Sequence, residues 1–355
     1  MTRMRALLRP LAIPYGALTR FRAWSYRKGI ARAKRLPGVV ISVGNLTVGG
    51  TGKTPFVIWL TSELIARGNH VAILTRGYRG KFRGVLSGAG ELSIAKHAET
   101  MAGLSDETCV AYSRLSSQPN ASTHFAMGVG PDRFAAGQEL ARGGFDWFVL
   151  DDGFQHLQLA RDLNILLIDA TNPFGEGHLL PAGHLREPHS AMRRADIILI
   201  TRGVRAPAIE GVIRRYLSKA PIFYATMRLD SRELNAVETG AAASPHKFFA
   251  FAAIGNPSAF FENLREWGVS LAAHAAFPDH HKFSRADVKR LMMQARAAGA
   301  DSLVCTQKDS FNLRDAGSFD LPLFVCNASL EVHDAEGFWR SARAILKVRR
   351  PEIVT

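Results

Sequence analysis

VVISVGNLTVGGTGKTP, residues 39–55, decides the fold: an apolar β-branched run, a glycine-rich turn, then a lysine and a threonine at the mouth of a helix. Residues 39–43 read as a strand covered on both faces. Residues 55–67 read as a helix with Pro55 near its first turn, where a missing N–H is tolerated. Between them, glycines let backbone N–H groups turn inward around phosphate oxygens, and the helix adds its positive end. The pattern G-x-x-x-x-G-K-[ST] fails at one position only, because Thr47 stands in place of the first glycine. Thr47, Val48, Gly49, Gly50, Thr51 and Gly52 form the candidate cradle. Lys53 is placed to reach the β- and γ-phosphates of ATP, and the Thr54 hydroxyl to ligate Mg²⁺. Such a loop wants an acid at the end of another strand. Asp151 and Asp152 follow the apolar run 147–150 and supply two candidates, with their order relative to the metal left open.

Outward from the loop, the same alternation continues. Strands are expected at 71–74, 123–127, 147–150, 164–168, 197–200 and 222–226, and helices at 106–115, 132–142 and 209–217. A further alternating series runs from 248 to 346. Strand and helix in turn argue for an α/β protein with a mostly parallel sheet flanked by helices, of the P-loop NTPase type. A punctuating Pro37-Gly38 and a weak Ala/Gly-rich stretch ending near Ser244 divide the chain into three parts: 1–36, a phosphate-loop domain at 37–245, and a smaller C-terminal α/β domain at 246–355.

The formal net charge is +14, which calls for an anionic partner: nucleic acid, an acidic membrane surface or a phosphorylated substrate. No Asp or Glu precedes Glu63. Residues 1–36 interleave arginines with Leu7, Leu8, Leu11, Ile13, Tyr15, Leu18, Phe21 and Trp24, a basic amphipathic composition. It suits a helix lying in an anionic membrane interface. It equally suits a helix packed on the protein's own core with a solvated basic face. No run reaches the ~20 apolar residues that span a bilayer. The apolar start lacks a cleavage pattern and is read as retained. Cys109, Cys305 and Cys326 show no metal spacing and favour a reducing compartment. No nucleic-acid recognition motif is present, and no stable protein partner is expected.

With these blocks in hand, the chain resembles the tetraacyldisaccharide 4′-kinase family. The blocks are GNLTVGGTGKTP (44–55), TRGYRG (75–80), LDDGFQH (150–156), LLPAGHLREP (179–188) and FPDHH (277–281), in the family's order. The resemblance implies ATP-dependent phosphorylation of the 4′-hydroxyl of an acylated disaccharide 1-phosphate embedded in a membrane. It also implies a peripheral enzyme on the cytoplasmic face of the inner membrane of Gram-negative bacteria. Carried over by block, Asp106 and His280 become the catalytic pair beside Lys53, although Ser105 stands where the family has glycine. Asn45, Arg76, Tyr78, Arg133, His156, Arg186 and Glu187 become contacts to substrate or phosphate. Without the resemblance, Asp106 and Glu107 read as acids in a first helical turn capped by Ser105, and His280 and His281 as surface histidines or a metal pair. Thr306-Gln307-Lys308-Asp309 also resembles a family block; its lysine is one place off the guanine-specifying pattern. A membrane-associated ATPase or GTPase switch that passes phosphate only to water is the alternative.

Overall fold

A computed structural model of the chain describes residues 8–78, 80–87, 100–236, 246–313 and 316–352. The chain forms two compact units that do not follow its linear order: Met1–Leu104, Ala111–Thr226 and Glu331–Thr355 make the first, and Ser105–Val110 with Met227–Leu330 the second. The boundary expected near Ser244 lies outside the described residues.

Seven strands lie within the first unit: β1 (Val39–Asn45), β2 (Val71–Thr75), β3 (Gly84–Ser87), β4 (Phe125–Val129), β5 (Trp147–Leu150), β6 (Leu163–Asp169) and β7 (Ile197–Thr201). β8 (Ile222–Ala236) begins there. Their order is β8-β7-β6-β1-β5-β2-β4-β3, parallel throughout except for β3. Every residue of β1 is buried, as its unbroken apolar run requires of a strand covered on both faces. β1 lies between β5 and β6, with Ile41 opposite Val149 on one side and Leu163 on the other. Consecutive strands leave β1 in opposite directions here, and such a crevice at strand C-termini is where α/β sheets bind ligands. A Cβ on Gly44 would stand 2.7 Å from Phe154 Cβ, so only glycine lets the turn after β5 close over the end of β1.

Helices α1 (Arg9–Arg27), α2 (Lys53–Ala66), the later part of α3 (Asp106–Ser116), α4 (Ala121–His124), α5 (Arg133–Arg142) and α6 (Pro207–Arg214) belong to this unit. The strand expected at 123–127 starts later, at Phe125. Asn120 takes a left-handed φ of 64°, and its carbonyl accepts the N–H groups of Thr123 and His124, which winds residues 121–124 into a helical turn. β3 gave no sequence signal. It is a short antiparallel edge strand with one buried residue, Leu86.

α1 shows two faces. Gly16 and Ser25 are buried, and Ala12, Tyr15, Thr19 and Ala23 are half-buried beside them. The large apolar residues face the other way: Leu11 is 56% exposed, Ile13 75%, Leu18 65%, Phe21 63% and Trp24 39%. The core-packing alternative put those side chains inward, and the structure turns them out. Among the described residues, no helix is long and apolar enough to cross a membrane.

The second unit holds β9 (Phe248–Ala252), α7 (Pro257–Glu266), β10 (Leu271–Ala276), α8 (Arg285–Ala297), β11 (Ser302–Thr306) and α9 (Gln307–Asn312), with most of β12 (Leu323–Val332). Its strands run parallel in the order β10-β9-β11-β12. Phe251, Phe283, Leu291 and Leu303 centre its core. After β12 the chain returns to the first unit as α10 (Ala335–Arg349), where Phe338 meets Phe56 edge-on at 5.9 Å and Trp339 stacks on Trp59 at 6.1 Å.

A buried ion cluster fastens this return. Asp162, 2% exposed, accepts from Arg350 Nε at 3.0 Å, Arg35 Nη1 at 2.9 Å and the Val40 N–H at 2.9 Å. Arg350 Nη2 also donates to the carbonyls of Leu36 and Gly38 at the entry to β1. Truncating Arg350 leaves two carbonyls unpaired and Asp162 with the Val40 N–H and, as its cation, the half-exposed Arg35. Removing one partner of a buried pair costs about 3–5 kcal/mol. Arg350→Ala is expected to lower the urea unfolding free energy by about 3 kcal/mol, and an unchanged midpoint would contradict the role of this cluster.

Candidate active site

Two constellations carry the residues singled out from sequence, one in each unit. In the first, β1 ends at Asn45, whose buried amide donates to the Thr47 carbonyl at 2.8 Å and so starts the loop. Gly52, left-handed at φ 79°, closes the loop and opens α2 at Lys53. Lys53 Nζ lies 3.3 Å from Asn45 Oδ1 and 3.8 Å from Asp152 Oδ1. Thr201, at the end of β7, donates to the Thr51 carbonyl at 3.0 Å and pins the loop from behind.

Asp152 is the electrostatic centre of this half. Arg186 Nη1 donates to both its oxygens, at 2.8 and 2.7 Å. Desolvation pushes the Asp152 carboxyl up, but Lys53 and Arg186 outweigh it and hold the group below the ordinary carboxylate value. Its backbone is left-handed at φ 46°, unusual for a residue with a side chain. Asp151 accepts from the Thr75 hydroxyl at 3.1 Å. Arg133, 5% exposed, sets Nη1 3.5 Å from the Asp152 carbonyl. Burial lowers the Arg133 pKa, opposed by Asp151 and Asp152. Burial, with Arg133, Arg161 and Arg22 nearby, brings His156 down to about 4, so it is neutral near pH 7. Arg76 and Tyr78 are exposed.

Glu187 differs from the others. It is 5% exposed, and its carboxylate is taken by Arg194 and by Gln155 Nε2. It anchors its loop from within. Gln155 also donates to the Asn45 carbonyl at 2.9 Å, tying LDDGFQH to the end of β1. Thr201, Gln155 and Arg194 escaped the sequence reading. Only Gln155 carried a signal, standing inside a quoted block.

Thr54, Asp151 and Asp152 offer one hydroxyl and two carboxylates. These are hard oxygen donors of the kind Mg²⁺ takes while keeping waters and phosphate ligands. Among the described residues, no three His, Cys, Asp or Glu side chains converge to hold a metal by themselves. The donor set fits an ion that arrives with a triphosphate.

In the second unit, Ser105 caps α3, its hydroxyl accepting from the Thr108 N–H at 3.4 Å. Asp106 then stands in the first turn, its Oδ1 accepting from the Glu107 N–H. Its Oδ2 lies 2.8 Å from His280 Nδ1 and 3.4 Å from Asn312 Nδ2. Burial pushes the Asp106 carboxyl up. The His280 hydrogen bond, the Lys308 ammonium and the Glu107 N–H more than reverse this, so it stays ionised. His280 is itself left-handed at φ 62°, and its N–H donates to the Ala253 carbonyl at 3.1 Å. His281 turns instead to Asp287 at 3.1 Å, so the two histidines serve different carboxylates.

A family model described as tetraacyldisaccharide-1-P 4′-kinase matches residues 4–347. A tetraacyldisaccharide 4′-kinase of Geobacter metallireducens is 43% identical over 87% of this chain and 88% of its own length. One of Geobacter sulfurreducens is 41% identical over 89% and 87%. A crystal structure of LpxK from Aquifex aeolicus, described as an "apo" form in complex with ATP, superposes with a TM-score of 0.70 at 28% identity. It covers 97% of this chain and 99% of that one.

Asp309 supports the His280 turn from below. Fully buried, it accepts from the Ala253 N–H at 2.9 Å and from the Thr306 hydroxyl at 2.6 Å. Burial raises its carboxyl from 3.8 to about 6 against those hydrogen bonds. A carboxyl raised on folding contributes stability that is complete below its unfolded pKa and lost as pH rises through about 6. The gap is worth about 3 kcal/mol. Urea titrations should therefore show wild type losing ~3 kcal/mol relative to Asp309→Asn between about pH 4 and pH 7; parallel curves would contradict it.

Proposed function

This chain belongs to the tetraacyldisaccharide-1-P 4′-kinase family, and on that premise we propose which of its groups carry the reaction and where it works. It is an ATP-dependent kinase that phosphorylates the 4′-hydroxyl of a tetraacyldisaccharide 1-phosphate in lipid A biosynthesis. The switch alternative is set aside, because the family is one of kinases with a sugar hydroxyl as acceptor.

Phosphoryl transfer asks mainly for positioning and charge neutralisation. Loop amides from Thr47 to Gly52 cradle the phosphates, and Lys53, held between Asn45 and Asp152, neutralises the β- and γ-oxygens. Thr54, Asp151 and Asp152 would hold Mg²⁺, which when bound neutralises phosphate charge. Arg186 fixes the Asp152 carboxylate. Asp106 takes the proton of the 4′-hydroxyl and shares it with His280. The 4′-oxygen bonds to the γ-phosphorus, the bond from that phosphorus to the β–γ bridging oxygen breaks, and ADP leaves with the electron pair. The single observation that supports this assignment is the 2.8 Å approach of His280 Nδ1 to Asp106 Oδ2. An ionised Asp is a weak base, and a base so oriented contributes typically about 10²–10⁴-fold. Arg133 and neutral His156, with the exposed Arg76 and Tyr78, are assigned to substrate contact.

We place the enzyme at the cytoplasmic face of the bacterial inner membrane, held peripherally. The outward row of Leu11, Ile13, Leu18, Phe21 and Trp24, with Arg20, Arg22 and Arg27 exposed on the same helix, supports insertion into an anionic leaflet.

Labelled ATP with a tetraacyldisaccharide 1-phosphate in mixed micelles, resolved by thin-layer chromatography, tests the site. Lys53→Ala should lose at least ~10³-fold in kcat and Asp106→Asn about 10²–10⁴-fold; wild-type turnover in either removes that residue from the machinery. Separately, Leu18→Ser/Phe21→Ser should weaken co-sedimentation with anionic vesicles about tenfold or more while leaving the thermal midpoint in place. Equal sedimentation would remove α1 from the membrane contact.

A further inference from the structure

The Thr306-Gln307-Lys308-Asp309 block has no part in the chemistry above, yet it delivers a cation to the dyad. Thr306 caps α9 by accepting from the Asp309 N–H at 3.2 Å, and this cap sets where Lys308 points. Lys308 Nζ lies 3.1 Å from Asp279 Oδ1, 3.6 Å from Glu107 Oε1 and 3.7 Å from Asp106 Oδ2, with its side chain only 15% exposed. All of these groups lie in the second unit.

We propose that Lys308 is a positioning residue for the Asp106–His280 pair, its ammonium gripping the start of α3 and the turn that carries His280 so that Asp106 presents a fixed, charged oxygen to the imidazole. The proposal rests on reading Asp106 and His280 as the catalytic dyad. Asp106 Oδ1 is occupied by the Glu107 N–H, and Oδ2 draws His280, Asn312 and Lys308 together. The carboxylate therefore has one orientation. Asp279 adds the second grip, since its Oδ2 also lies 3.6 Å from His280 Nε2. A phosphate-binding role is disfavoured by charge: one ammonium facing the carboxylates of Asp106, Glu107 and Asp279 leaves the neighbourhood anionic, and a phosphate would be repelled. At 3.7 Å from Asp106, Lys308 acts through charge rather than a direct hydrogen bond.

A purely structural ion pair would change stability alone. A positioning cation also changes the protonation of Asp106. Among the described residues, the charged or titratable groups facing this cluster are Glu107, Asp279, His280, Lys308 and Asp309. Removing the ammonium removes an opposite charge, so Asp106 protonates at higher pH and the acid limb of the rate profile moves upward. We expect Lys308→Met to lower plateau kcat roughly tenfold, to leave KM for ATP unchanged and to shift the acid limb of kcat to higher pH. Lys308→Arg should return the limb to its wild-type position. Lys308→Gln, which keeps a polar tip, serves if the methionine variant does not fold. An acid limb at the wild-type pH in Lys308→Met or Lys308→Gln overturns the proposal, even if the plateau falls. Asp106→Asn, run alongside, separates the two failures. If it keeps wild-type turnover the dyad reading falls; if it is inactive while the limb stays put, only the role of Lys308 falls.

Discussion

A carboxylate withdrawn from water stays charged only where cations or N–H groups face it, and that constraint shapes both the scaffold and the site. Asp162 meets it with Arg35, Arg350 and the Val40 N–H, and so locks the last helix to the entry of β1. Asp152, its side chain still 36% exposed, draws Lys53 and Arg186 at the other end of the same strand. Asp106 meets it with His280, Lys308 and the Glu107 N–H. Asp309 is the counterexample that proves the rule's sense. It has hydrogen bonds but too little opposing charge, and its proton is correspondingly harder to remove. Of the three carboxylates with cations close by, Asp162 serves the scaffold, and Asp152 and Asp106 are the ones proposed for chemistry, where an ionised oxygen is required.

The second constraint is backbone strain held at the same places. Asp152 and His280 are left-handed without being glycine, a conformation worth roughly 1–3 kcal/mol each. Neither is loose. The Asp152 turn is fixed by Asp151 N–H to the Leu74 carbonyl and by Gly153 N–H to the Val43 carbonyl, so two buried strands hold it. The His280 turn is fixed through Ala253, which Asp309 holds in turn. Strain is retained where the surroundings over-determine the residue, and here it aims two side chains that sequence had already singled out.

What was legible in the sequence was local. The apolar run 39–43, the glycines and the helix at 55–67 specified β1, the loop and α2 because each depends on residues close in the chain. The pair Asp151-Asp152 was visible because it follows an apolar strand. The lock on the loop by Thr201, the tie of Gln155 to Asn45 and the grip of Lys308 on Asp106 were not, since each joins residues between 110 and 202 positions apart in sequence. The discontinuous units were illegible for the same reason: alternation shows which segments are strands, not that the chain leaves one unit and returns to it with Trp339 stacking on Trp59. The burial of Glu187 was illegible too, because a glutamate beside an arginine in a polar block gives no hint that it pairs with Arg194.

Helix α1 inverts the usual amphipathic rule, and the inversion carries the argument for a lipid surface. A helix that merely packs on its own domain turns its large apolar residues inward. Here the inward face sets small residues between Tyr15 and Tyr26, with Gly16 so close that a Cβ would stand 2.6 Å from Leu179, while five large apolar side chains face out. Small residues let the helix lie near the body, and Tyr15 then reaches the carbonyl of Arg186, the residue that holds Asp152. Partial burial of five such side chains is worth on the order of 5–10 kcal/mol before ordering costs, and each arginine near an anionic leaflet adds roughly 1 kcal/mol. On the proposed membrane contact, that range would give firm but reversible attachment and fall short of permanent insertion. An enzyme proposed to meet an acylated sugar at a membrane surface would be served by an anchor of that strength, and Tyr15 sets this helix one hydrogen bond from Arg186.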